Sequence, residues 1–128
     1  MVNIDKSAAM IVELAKEFIS VARRIAPAWS RAYWRFESQE LRFGSNASVV
    51  TPEGVFLIDP LKEKALFETM NSIGRRLWDN EADLKKRFCV CLLRVENTFD
   101  YEILFEKEDV SKWRISKLDG KSGIPEGL

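Results

Sequence analysis

Residues 88–106 read Phe88-Cys89-Val90-Cys91-Leu92-Leu93-Arg94-Val95-Glu96-Asn97-Thr98-Phe99-Asp100-Tyr101-Glu102-Ile103-Leu104-Phe105-Glu106. Phe88 to Val95 is apolar at nearly every position, which predicts a strand at the sheet centre, covered on both faces. Glu96-Asn97-Thr98 is turn chemistry. From Phe99 to Glu106 the pattern changes to alternation. Tyr101, Ile103 and Phe105 take one face, and Asp100, Glu102, Leu104 and Glu106 the other. Two strands joined by so short a turn belong to an antiparallel sheet.

Upstream, Arg31 to Ser38 is dense in aromatic residues, as a strand should be. Ala32, Trp34 and Phe36 share one face; Arg31, Tyr33, Arg35 and Glu37 share the other. A turn near Phe43-Gly44-Ser45-Asn46 leads to a strand over Ala47–Thr51. The Pro52-Glu53-Gly54 turn leads to a short strand over Val55–Ile58, completing a three-stranded meander. A helix over Lys6–Ile25 carries an apolar stripe of Ile11, Leu14, Ala15, Phe18, Val21, Ala22 and Ile25, with Asp5 as N-cap and Pro27 as the stop. Asp59-Pro60 opens a second helix over Leu61–Trp78, with a further helical turn expected through Ala82–Arg87. Glu108 to Trp113 is read as a short helix docking Trp113 on the body. The order helix, three strands, helix, two strands, short helix predicts an α+β fold with about five mainly antiparallel strands and two principal helices packed on them. Residues 1–118 form the single domain expected, and 119–128 a flexible tail.

Apolar residues make up 46% of the 128 residues and charged residues 31%, a globular composition. Lysine and arginine balance aspartate and glutamate at 20 each. The isoelectric point is about 6.4. A nucleic-acid binder normally carries a basic excess, because phosphate neutralisation dominates affinity. Early charges break every apolar run near the N-terminus, so neither a signal peptide nor a membrane span is expected, and the chain reads as cytoplasmic.

The chain contains no histidine. That removes the usual general base near neutral pH and the commonest nitrogen ligand for metals. Cys89 and Cys91 form a Cys-x-Cys pair inside an apolar run, with both side chains expected on one face of the strand. Two thiolates cannot complete a zinc site, so these are core cysteines. Gly120-Lys121-Ser122 lacks the upstream glycine of a phosphate-binding loop. No catalytic residue, metal site or cofactor site is expected, and the chain reads as a binder without activity of its own.

Charge is nevertheless polarised along the sequence. Residues 96–109 hold Glu96, Asp100, Glu102, Glu106, Glu108 and Asp109 against Lys107 alone. They make either a solvated face or a protein-binding patch. Trp113 beside them is either a partner anchor or a cover for the core edge. Arg31, Tyr33 and Arg35 permit a nucleic-acid reading, by base stacking and phosphate contact, against which stands the neutral total charge.

Two segments carry a family resemblance. Ile25-Ala26-Pro27-Ala28-Trp29-Ser30-Arg31-Ala32-Tyr33 runs from a helix end through a Pro-x-Trp step into an aromatic strand. Phe99 to Glu106 leads through Glu108-Asp109 to Lys112-Trp113. Over roughly residues 8–118 the chain resembles the YezG-like immunity proteins of bacterial toxin–immunity systems, including contact-dependent growth inhibition. The resemblance implies a small α+β protein that neutralises a cognate toxin, often a nuclease domain, by binding it. Glu96, Asp100, Glu102, Glu106, Glu108, Asp109 and Trp113 are then the expected toxin-binding residues, with no direct contact to nucleic acid or membrane. The alternative is a small secretion chaperone that holds an effector segment on apolar grooves.

Overall fold

The structure, a computed structural model, describes residues 4–81 and 86–128. Its elements follow the order α1 (Ile4–Ile25), β1 (Arg31–Ser38), β2 (Phe43–Thr51), β3 (Gly54–Leu57), α2 (Lys64–Asn80), β4 (Val90–Glu96) and β5 (Tyr101–Glu106), then a 3₁₀ turn at Leu118–Gly120. The fold is α+β. The expected turn through 82–87 falls largely outside the described residues.

The strands form one antiparallel sheet in the order β3-β2-β1-β4-β5. The aromatic strand β1 takes the centre, where the apolar run of β4 was expected; β4 lies one place away, as its interior neighbour. On β1, Ala32, Trp34 and Phe36 are fully buried under the helices. The rings of Trp34 and Phe36 stack with centroids 5.2 Å apart. Burying one such ring removes roughly 150–250 Å² from water, about 4–6 kcal/mol of gross stabilisation. Both helices cover this face. α1 contributes Leu14, Phe18 and Ala22, and α2 contributes Leu66, Met70, Ile73 and Leu77, to the same core as Cys91, Leu93 and Val95 of β4.

Four local expectations are corrected. The β1–β2 turn lies at Gln39–Arg42, closed by Gln39 N–H on the Arg42 carbonyl at 2.8 Å, so Phe43–Asn46 are strand and not turn. The second helix starts at Lys64, not Leu61. The Asp59 carboxylate accepts the Leu61 N–H at 2.8 Å and its carbonyl the Glu63 N–H at 2.9 Å, which closes a separate turn before the helix. Residues 110–113 form a turn and not a helix. There the Val110 and Lys112 carbonyls are taken by Arg35, at 2.6 and 2.7 Å, and so are lost to a helical ladder.

The fourth concerns the cysteines. Cys89 N–H donates to the Glu106 carbonyl at 2.8 Å, while the register pairs Val90 with Glu106. Two residues thus face one, a β-bulge, which turns Cys89 to the side of Val90. Cys91 sits in the helix-side core and Cys89 against the opposite cluster.

That opposite cluster is the second, smaller core. Tyr33, Val90 and Leu92 are covered by Trp113 and Ile115 from the C-terminal run. Residues 119–128 continue across the same face. Gly123 is buried, and a Cβ there would stand 3.0 Å from Val55 Cγ1 and 3.7 Å from Leu57 Cδ2; Glu126 N–H donates to the Arg114 carbonyl at 3.0 Å. Lys121 pairs with Glu126 at 3.1 Å.

Candidate functional site

The acidic residues of 96–109 separate into two groups, one at each end of β5. Glu96 lies at the end of β4, opposite Arg31 in the register. Its Oε1 accepts from Arg31 Nη2 at 2.6 Å and Nε at 3.1 Å. Arg94 reaches Glu96 at 3.5 Å and Glu102 at 3.7 Å, so Arg31, Glu96, Arg94 and Glu102 alternate in sign across three strands. Asp100 is exposed and accepts from the Thr98 hydroxyl at 3.1 Å.

The second group builds the loop after β5. Glu106 Oε2 accepts the backbone N–H groups of Glu108 at 3.0 Å and Asp109 at 3.1 Å, and Lys112 Nζ stands 3.2 Å from its other oxygen. These bonds, that from Asp109 first, hold the Glu106 carboxyl down at about 2. The Asp109 carboxylate accepts from the Ser111 hydroxyl at 2.6 Å and its N–H at 3.0 Å, which lowers its pKa too. Glu108 is exposed, 3.5 Å from Lys86. Glu106 and Asp109 are therefore engaged in shaping the loop, and the carboxylates with most freedom to meet a partner are Asp100, Glu102 and Glu108.

Trp113 is only 8% exposed and belongs to the second core. Its φ of 59° places a bulky side chain in the left-handed region, held there by the packing on Tyr33, Val90 and Leu92. The same covering run buries Tyr33 and Arg35, two of the three residues that suggested nucleic-acid contact. Burial pushes the Cys91 thiol far above its ordinary range and raises that of Cys89 as well, so neither is an activated thiolate. Among the described residues, no group of three or more Cys, Asp or Glu is placed to hold a metal ion, and no helix is long and apolar enough to cross a membrane.

A feature outside those sequence expectations adjoins Asp100 and Glu102. Phe99 in the turn before β5, and Tyr101 and Phe105 on β5, are exposed at 57%, 43% and 40%. With Ala15, Ile19 and Arg23 of α1, Phe99 and Tyr101 line a groove of about 670 Å³ between helix and sheet edge. Arg23 lies over the Phe99 ring at 5.5 Å. Phe99 has φ 72° and closes a three-residue loop, Asn97-Thr98-Phe99, in which the last position is left-handed. Glycine normally serves there. The sequence signal was an aromatic residue where the turn asks for glycine.

Neither a family model nor a curated protein matches the chain.

Proposed function

We propose that this chain is an immunity protein, which neutralises a cognate bacterial toxin by binding it and performs no reaction itself. The observation that carries the reading is the β5 edge. There, exposed aromatic side chains stand beside the exposed carboxylates Asp100 and Glu102. Aromatic groups provide large contact area at low entropy cost, and carboxylates steer onto a basic surface such as one that grips nucleic acid. The resemblance over Pro27-Ala28-Trp29 and Phe99–Trp113 supplies the class of partner.

The test is co-expression with the toxin encoded beside the gene. A stable complex and survival of toxin-expressing cells are expected. The double reversal Asp100→Lys with Glu102→Lys weakens the complex while the circular dichroism spectrum stays native. Absence of both complex and protection discards the reading. Unchanged affinity in the double reversal moves the contact away from β5.

A further inference from the structure

We propose that the outer edge of β5 takes an added strand from the partner: an extended segment with apolar side chains toward α1 and lysine or arginine on its opposite face. This rests on the protein-binding reading above and specifies its mode.

The backbone directions come first. Glu96 N–H donates to the Asp100 carbonyl at 2.9 Å and Cys89 N–H to the Glu106 carbonyl at 2.8 Å. In an antiparallel strand the N–H and C=O of one residue leave on the same side, and the side alternates. The even-numbered residues of β5 therefore turn their backbone toward β4, and Tyr101, Ile103 and Phe105 turn theirs outward. Among the described residues, none of those three makes a backbone hydrogen bond outside the sheet.

The opposite edge is treated differently. On β3, Ile58 N–H and the register turn Phe56 toward β2, so Val55 faces outward. Its carbonyl is capped by Lys117 Nζ at 2.8 Å, and Gly123 packs against Val55 and Leu57. Covering an edge with lysine and a loop is how a sheet avoids unwanted pairing. β5 has no equivalent cover among the described residues.

Side chains then select the occupant. Tyr101, Ile103 and Phe105 point to the helix side, where the groove against Ile19 and Ala15 would receive alternate apolar side chains of an added strand. Arg23 and Lys16 line that side, so basic residues are disfavoured there. The other face presents Asp100 and Glu102, which match basic residues at the intervening positions. A second copy of β5 fits poorly. Antiparallel pairing centred on Ile103 puts Glu102 diagonal to its own copy, and pairing centred on Leu104 puts Glu102 opposite Glu106. Like charges so placed are destabilising.

The experiment titrates the full chain with a short blocked peptide alternating lysine with valine and phenylalanine, followed by amide NMR. Saturable shifts and slowed exchange are expected at Tyr101, Ile103 and Phe105. N-methylation of the peptide nitrogens that face β5 weakens binding by about tenfold or more. Glu102→Lys weakens it by about two- to fivefold. Three results overturn the proposal: no saturable shift at those amides, equal binding by the methylated peptide, or a concentration-dependent dimer that Tyr101→Pro abolishes. A chain that protects cells but ignores the peptide loses the added strand alone. A chain that binds the peptide but neither captures nor neutralises the toxin loses the toxin reading alone.

Discussion

Arg35 Nε donates to the carbonyl of Lys112 at 2.7 Å, joining the central strand to a turn 77 residues further along the chain. Its Nη2 takes the Val110 carbonyl at 2.6 Å, and Nη1 pairs with Glu37. The side chain is 5% exposed. A planar guanidinium can serve two carbonyls and a carboxylate at once; an ammonium cannot hold the same fork. Arg35→Lys is therefore expected to lower stability by about 1–3 kcal/mol, because the buried guanidinium gives up bonds to two part-buried carbonyls. Urea unfolding checks the size of the loss, and limited proteolysis checks its place, with new cleavage expected in 107–118. An unchanged urea midpoint would remove Arg35 as the pin of that segment.

The same contact marks how far local pattern reaches. The α1 stripe, the β1 aromatics and the β4–β5 hairpin were readable because each element's burial follows its own period, as Leu14, Phe18 and Ala22 do. The run after Glu106 has no such period. Its carbonyls bond to Arg35, and its Trp113 packs on Tyr33, both remote in sequence. A short helix was the local solution for Glu108–Trp113, and tertiary hydrogen bonds displaced it. The candidate site was half legible for the same reason. Six carboxylates in fourteen positions were plain, but which of them are engaged with local N–H groups depends on loop geometry, and the groove beside Phe99 depends on where α1 lies.

Gly74 tests the fit between α2 and the sheet. A Cβ there would stand 3.0 Å from Trp34 Cη2 and 3.1 Å from two ring carbons of Phe36. Alanine favours a helix over glycine by roughly 1 kcal/mol. Overpacking a tight core costs about 1–3 kcal/mol. Trp34 and Phe36 are fully buried and stacked on each other, so neither ring has room to give, and overpacking wins. Gly74→Ala is expected to lose about 1–2 kcal/mol net in thermal or urea unfolding. A gain in stability would show that the rings move.

Glu106 predicts an acid dependence with a definite sign. Its carboxyl titrates at about 2 in the folded chain against an ordinary 4.5. A depressed folded value means the stabilisation is fully present above the ordinary value and is lost as pH falls from about 4.5 toward about 2. Glu106→Gln should be less stable than the parent near neutral pH and lose less on acidification. The gap between the two proteins' urea midpoints should therefore be wide at about pH 7 and clearly narrower at about pH 3. Parallel curves would place the acid sensitivity elsewhere, Asp109 being the next carboxyl to examine.

Phe99 separates stability from recognition. Its φ of 72° is a left-handed conformation that costs a non-glycine residue roughly 1–2 kcal/mol. The exposed ring returns little of that through packing, with Arg23 over it at 5.5 Å. Cation–π contact at an exposed site is worth about 0.5–1 kcal/mol, so the backbone term is the larger. Phe99→Gly is expected to leave stability unchanged or raise it by up to about 1 kcal/mol. In the same variant, the alternating lysine peptide should bind about fivefold or more weakly, because the groove loses an aromatic wall. Thermal unfolding and peptide titration on one preparation measure both. A variant less stable than its parent would make Phe99 a packing residue; equal peptide affinity would exclude its ring from the docking surface.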